Sequence, residues 1–304
     1  MNAPSQSSTL PSHNASQHAA SGSNRLAGAN SVASKPNKIA HGKKKRPGSK
    51  PELRSHSSSV PPPIAPKPSA GYLEKAFEDS HKLPSPAELL IILDLNGTLL
   101  YRKKGKNAQG SVAPSIRPGL REFLAYLFSN FKVMIWTSAR PENALRMVRA
   151  TFKKTEEQQL LAIWGRDTLG LSNAQYNAKV QVYKTLERVW TGEFMICHPN
   201  QPDQIVFDQT NTVLFDDTTE KAMGHPFNLV NIPEFTATKK QTKGDVALRQ
   251  CIEYLEVVKW QSNVSSYMRE YPFVYAEPER AETGREGQLQ KGATDGELLV
   301  DEEN

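Results

Sequence analysis

Leu89-Leu90-Ile91-Ile92-Leu93-Asp94-Leu95-Asn96-Gly97-Thr98 is the stretch on which the reading of this chain turns. A short apolar run closed by a carboxylate is the pattern of a strand that delivers a polar group at its tip. Two other runs end the same way. Val133-Met134-Ile135-Trp136-Thr137-Ser138 stops in hydroxyls, and Val213-Leu214-Phe215-Asp216-Asp217 stops in two carboxylates. Between them lie segments of helical period, and such alternation is the signature of an α/β fold with a parallel sheet wrapped by crossover helices. The pattern predicts strands at Leu89–Asp94, Val133–Thr137, Leu160–Trp164 and Val213–Phe215, with a short one near Leu229–Ile232. It predicts helices at about Pro118–Phe128, Pro141–Phe152, Ala178–Trp190 and Asp245–Ser262, with Pro118 and Pro141 each in a first helical turn, where proline is tolerated. Asn96-Gly97 alone would signal a tight turn. The aspartate before it, the threonine after it and the two matching strand ends give it more to say.

In open α/β sheets ligands bind beyond the carboxyl ends of the strands, and parallel strands bring these three tips together. Neighbouring carboxylates repel unless a proton or a cation neutralises them. A hard divalent cation answers that need, and Mg²⁺ suits a site that offers a couple of carboxylates and leaves room for water and a phosphate. An aspartate beside such an ion can attack phosphorus to give an acyl phosphate, while a lysine and a hydroxyl hold the oxygens of the transferring group.

Asp94-Leu95-Asn96-Gly97-Thr98 resembles the Asp-x-Asp-x-Thr signature of the haloacid dehalogenase superfamily, and the later motifs match in order. Thr137 stands at the second motif, Lys184 in Tyr183-Lys184-Thr185-Leu186 at the third, and Asp216-Asp217 at the fourth. Trp136-Thr137-Ser138-Ala139-Arg140 and His225-Pro226-Phe227-Asn228 further resemble the FCP-homology group, the small C-terminal-domain phosphatases and NLI-interacting-factor-like proteins. The resemblance implies a Rossmann-like domain, Mg²⁺ as cofactor and a phosphorylated protein or peptide as substrate. It implies that Asp94 is nucleophile and metal ligand, that Asn96 contributes its backbone carbonyl to the metal, that Asp217 adds the second carboxylate, and that Asp216 sits just behind. Thr137 would bond a phosphate oxygen. Lys184 would hold Asp94, with Lys179 a nearby competitor for the role.

Asn96 departs from that pattern, because the family has at this position the aspartate that protonates the leaving oxygen and then activates water. An amide does neither. Positioned acid–base catalysis contributes typically about 10²- to 10⁴-fold, so the expectation is a weakened phosphatase; the alternative is a catalytically impaired module that binds phosphoproteins or acts as a scaffold.

Composition frames the domain. Residues 1–70 carry ten Lys and Arg against one acid and few large apolar groups, and residues 276–304 carry nine acids against three bases. The expected organisation is a disordered basic Ser/Pro-rich tail at 1–70, one domain at 71–275 and a disordered acidic tail at 276–304. The net charge of +6 leaves only +3 in the middle, so direct nucleic-acid binding by the domain is not expected. Pro61-Pro62-Pro63-Ile64-Ala65-Pro66-Lys67-Pro68 reads as polyproline II, most simply a spacer. Lys43-Lys44-Lys45-Arg46-Pro47 reads either as a nuclear import signal or as a solvated basic run. Two cysteines, Cys197 and Cys251, at no metal or redox spacing suit a reducing compartment, and no apolar run approaches the roughly 18 residues of a membrane span. The expectation is a soluble intracellular protein, nuclear or cytoplasmic, with no reading of oligomeric state. His198 and His225 have no partner at ligand spacing, and Gly192–Asn211 reads as a long loop.

Overall fold

Leu89, Leu90, Ile91, Ile92 and Leu93 are all fully buried, so this run has no solvent face. A strand covered on both sides reads as a continuous apolar stretch rather than an alternating one. The computed structural model describes residues 60–103, 113–191, 196 and 207–278. Among these the strands are β1 (Leu90–Leu93), β2 (Leu100–Tyr101), β3 (Ser115–Ile116), β4 (Lys132–Trp136), β5 (Leu160–Trp164), β6 (Thr212–Asp216) and β7 (Leu229–Asn231). The helices are α1 (Ala70–Ala76), α2 (Leu120–Asn130), α3 (Pro141–Thr151), α4 (Lys154–Gln159), α5 (Asn173–Asn177), α6 (Glu187–Trp190), α7 (Lys239–Gly244), α8 (Ala247–Val258) and α9 (Val264–Glu270).

The main sheet has the order β5-β4-β1-β6-β7 with every neighbouring pair parallel, while β2 and β3 form a separate antiparallel pair. Side chains of β1 alternate between two cores. Ile91 and Leu93 join Val133, Ile135 and Phe215 under α2, α3 and α8, whereas Leu90 and Ile92 join Met134, Trp136 and Leu214 against Tyr72, Leu186 and Trp190. Full burial of one such side chain is worth about 1.5–3 kcal/mol, so β1 is held from both sides. Chain order reverses at β1, with β4 on one flank and β6 on the other. That is the switch point at which α/β sheets open a crevice.

The predicted strands are found within one residue at each end. The helices differ more. Pro118 lies outside α2, because Gly119 takes a left-handed conformation (φ 76°) and turns the chain into a helix that starts at Leu120. Pro141 does sit in the first turn of α3. The helix expected at Ala178–Trp190 is absent between α5 and α6. Arg166 explains its early end: the guanidinium donates to the carbonyls of Gln175, Tyr176 and Ala178, taking acceptors that a continuing helix would use. The helix expected at Asp245–Ser262 is shorter, and α9 follows it behind an Asn263 cap whose side chain accepts the Ser266 N–H.

The proline-rich stretch runs along this body. Val60, Pro63 and Pro66 are half-buried while Pro61, Pro62, Ile64, Ala65 and Lys67 are exposed. The spacing of three from Val60 to Pro66 matches the repeat of a polyproline II helix lying on one edge, and half-buried Pro68 falls out of that phase. Gln175 donates to the Pro61 carbonyl at 3.2 Å. The Lys43–Pro47 run, residues 1–59 and 279–304, Cys197, His198 and most of the Gly192–Asn211 loop fall outside the described residues.

A buried ion pair closes the fold near the β2/β3 pair. Arg117 and Asp245 meet at 2.9 Å with side chains 0% and 4% exposed, and Arg117 also donates to the carbonyls of Thr98 and Pro233. Removing one partner of such a pair strands a charge. Arg117→Ala is expected to cost about 3–5 kcal/mol in urea unfolding, and the double replacement Arg117→Met with Asp245→Leu to recover most of that loss.

Candidate functional site

The tips of β1 and β6 bring three carboxylates together. Oxygens of Asp94, Asp216 and Asp217 lie within 4.8 Å of one another. Asp94 follows β1 and its N–H donates to Phe215 O, which ties it to β6 beside Asp216. Asp94 and Asp216 are 1% and 0% exposed, and the Asp217 side chain is 11% exposed. Thr137 follows β4 and is also buried; its N–H bonds Trp164 O on β5, and its Oγ1 accepts the Ala139 N–H at 3.4 Å.

Two ammonium groups balance the carboxylates. Lys184 Nζ, fully enclosed, lies 3.0 Å from Asp94 Oδ1 and 2.6 Å from Asp216 Oδ2. It enters from the irregular segment between α5 and α6, where its N–H donates to Lys221 O at 2.7 Å. That bond would be unavailable in a helix, and it accounts for the irregular path. Lys179 is not among the groups at the cluster. Lys221, which the sequence reading passed over, lies 2.8 Å from Asp216 Oδ1, 3.1 Å from Asp217 Oδ1 and 3.6 Å from Asp94 Oδ2. Burial alone lowers its pKa, but the charges of Asp94, Asp216 and Asp217 outweigh that and leave it well above the ordinary lysine value. Its only sequence signal is the four-residue spacing from Asp217, which equally describes a solvated pair on a helix.

Asn96 occupies the rim. It is exposed, and its Oδ1 accepts the Arg102 N–H at 2.9 Å. Gly97 follows with φ 93°, its N–H bonded to Leu100 O, so the Asn-Gly pair does make a tight turn as well as edging the cluster. A Cβ at Gly97 would stand 2.5 Å from Asp217 Oδ2. The turn is therefore tight because the carboxylate is pressed against it.

The His225–Asn228 stretch supports the site from behind. Buried His225 accepts the Leu186 N–H at Nδ1, two residues after Lys184, and its Nε2 lies 2.5 Å from Glu187 Oε2. Burial pushes the Glu187 carboxyl up, yet the bond and charge of His225 hold it below the usual carboxylate range. Asn228 accepts from the Tyr72 hydroxyl and donates to Gln209 O and Thr212 O, pinning the start of β6. His225 is thus a buried core histidine, hydrogen-bonded through Nδ1 and set against Glu187 through Nε2.

Comparisons with known proteins give the family. A family model described as NLI interacting factor-like phosphatase matches residues 89–265. The chain belongs to this family. An uncharacterised FCP1 homology domain-containing protein of Schizosaccharomyces pombe is 36% identical over 216 residues, which cover 69% of this chain and 86% of the relative. A putative CTD phosphatase-like protein of Invertebrate iridescent virus 3 is 25% identical over 150 residues, covering 47% of this chain and 72% of that one. The solved structure of a fission yeast RNA polymerase II CTD phosphatase Fcp1 bound to beryllium fluoride aligns with a TM-score of 0.38 at 14% identity, over 60% of this chain and 64% of that chain.

The cluster fits a divalent cation. Three carboxylates this close demand positive charge, and the two ammonium groups among them leave one negative charge over. Crowding at Gly97 offers a direct check. Gly97→Ala is expected to lower stability by about 1–3 kcal/mol from its backbone conformation alone, with a further loss from displacing Asp217, both read by urea unfolding of the single variant and of Gly97→Ala in an Asp217→Ala background.

Proposed function

We propose that this chain is a Mg²⁺-dependent phosphatase of phosphorylated proteins or peptides, working through an aspartyl phosphate on Asp94 and slowed by Asn96. The observation that carries this reading is the Lys184–Asp94 contact at 3.0 Å inside the three-carboxylate cluster. Lys184 fixes one oxygen of Asp94, leaving the other to attack. Asp94 then displaces the substrate oxygen from phosphorus, and water cleaves the resulting acyl phosphate to regenerate the carboxylate. Asp94, Asp217 and the Asn96 carbonyl would hold Mg²⁺, with Asp216 fixing Lys184. The ion, when bound, supplies charge stabilisation for the phosphoryl oxygens. Thr137 donates to one of those oxygens.

Asn96 has no proton to give to the leaving oxygen, so alkyl phosphates suffer more than aryl phosphates, whose leaving groups need little protonation. The functional unit is taken as residues 71–275, with the proline-rich stretch laid along it. Among the described residues no helix is long and apolar enough to cross a membrane.

A second reading has one observation in its favour. The Asn96 side-chain Oδ1 accepts the Arg102 N–H while the cluster remains complete, which suits a module that binds phosphorylated partners without turning them over.

Phosphate release by wild type, Asn96→Asp and Asp94→Asn, with and without chelator, separates the two. Asn96→Asp is expected to accelerate phosphopeptide hydrolysis by about 10²- to 10⁴-fold, Asp94→Asn to abolish release, and chelator to abolish it in both active forms. Silence from wild type and from Asn96→Asp alike would remove the phosphatase reading, and Mg²⁺-dependent phosphopeptide binding by calorimetry would then support the second.

A further inference from the structure

The two lysines at the cluster divide its oxygens between them. Lys184 takes Asp94 Oδ1 and Asp216 Oδ2; Lys221 takes the opposite oxygens, Asp94 Oδ2 and Asp216 Oδ1, together with Asp217 Oδ1. Their surroundings differ too. The Lys184 side chain is completely enclosed, whereas the Lys221 side chain is 12% exposed and stands on the side open to solvent.

We propose that Lys221 is a tethered cation of the carboxylate cluster, a positioning residue that holds Asp94, Asp216 and Asp217 together and that a divalent ion must displace in order to bind. The proposal rests on the metal-binding reading given above. A divalent ion drawing on carboxylate oxygens of Asp94 and Asp217 meets the ammonium that already contacts both of those groups. Like charges at such separations repel, and the partly buried setting screens them less than water would. One of the two cations gives way.

The local structure lets the ammonium leave alone. The Lys221 carbonyl accepts the Lys184 N–H at 2.7 Å and its own N–H donates to Thr218 O at 3.2 Å, so its backbone is fixed from both sides. Four methylenes separate that anchor from Nζ, and a lysine ammonium is a compact charge on a flexible stem. The ion can therefore exchange for Nζ with no rearrangement of the loop that also holds Lys184. Lys184 cannot play this part, because it has no solvent side. The tether has two effects: carboxylate repulsion is relieved before any ion arrives, and ion affinity is lower than the bare carboxylates would give.

Mn²⁺ binding to the full chain, measured by the loss of the free-ion paramagnetic resonance signal, tests this on wild type, Lys221→Met and Lys221→Arg. Lys221→Met keeps the stem and drops the charge. It should bind Mn²⁺ about tenfold more tightly or better, the scale of one charge-assisted hydrogen bond no longer given up, and Lys221→Arg should return toward wild type. Without metal, Lys221→Met should melt at a lower temperature than wild type, and saturating Mn²⁺ should erase the difference. Equal or weaker Mn²⁺ binding by Lys221→Met overturns the role of Lys221 and leaves the metal site standing. Binding by neither protein removes the metal site, and the proposal falls with it. Should Lys221→Met fail to fold, amine labelling of the wild type followed by peptide mass spectrometry answers instead. Mn²⁺ should speed modification of Lys221 several-fold, and an unchanged or slower rate overturns the proposal.

Discussion

Three carboxylates with oxygens inside 4.8 Å of each other, two of them buried, form the constraint around which the rest of this chain is arranged. Burial of one unpaired carboxylate is costly, and three in mutual contact would be prohibitive. The chain answers with two ammonium groups from separate segments, and those segments need anchors of their own. Arg166 ends α5 early, and Lys184 approaches from irregular backbone. His225 takes the N–H two residues further on, and the Lys221 carbonyl takes the N–H of Lys184 itself. Charge balance at the strand tips thus dictates backbone path some distance away.

The support extends to the other side of the turn that follows β1. Gly97 N–H bonds Leu100 O, Gly97 O accepts the Phe235 N–H, and Arg117 draws the Thr98 carbonyl, Pro233 and Asp245 into one buried knot. A loop pressed against Asp217 on one face and clamped by a guanidinium on the other has little freedom. Such rigidity is what holding groups for directional chemistry requires.

What the sequence made legible follows from these physical roles. Strands buried on both faces leave long apolar runs, so β1, β4 and β6 were readable, as was the half-buried but equally apolar edge strand β5, and the polar residues closing β1, β4 and β6 pointed at Asp94, Thr137, Asp216 and Asp217. Lys184 was identified by family resemblance, yet its conformation was misread. Local composition around it favours a helix, and the interactions that forbid one come from Arg166 and Lys221, 18 and 37 residues away. Lys221 itself went unnoticed, because a lysine four residues after an aspartate is as common on a wet helix as in a buried pair. Pro118 misled for a similar reason: a left-handed Gly119 is set by the tertiary course of the chain, not by the proline before it.

Asn96 stands in a place that imposes little on the fold. Its side chain is exposed, and the single bond made by its Oδ1, to the Arg102 N–H, is one that a carboxylate oxygen would make equally well. Codons for asparagine and aspartate differ at one base. Selection can therefore cross between the two residues in either direction without repacking any neighbour, and the architecture is indifferent to which of them stands at the turn.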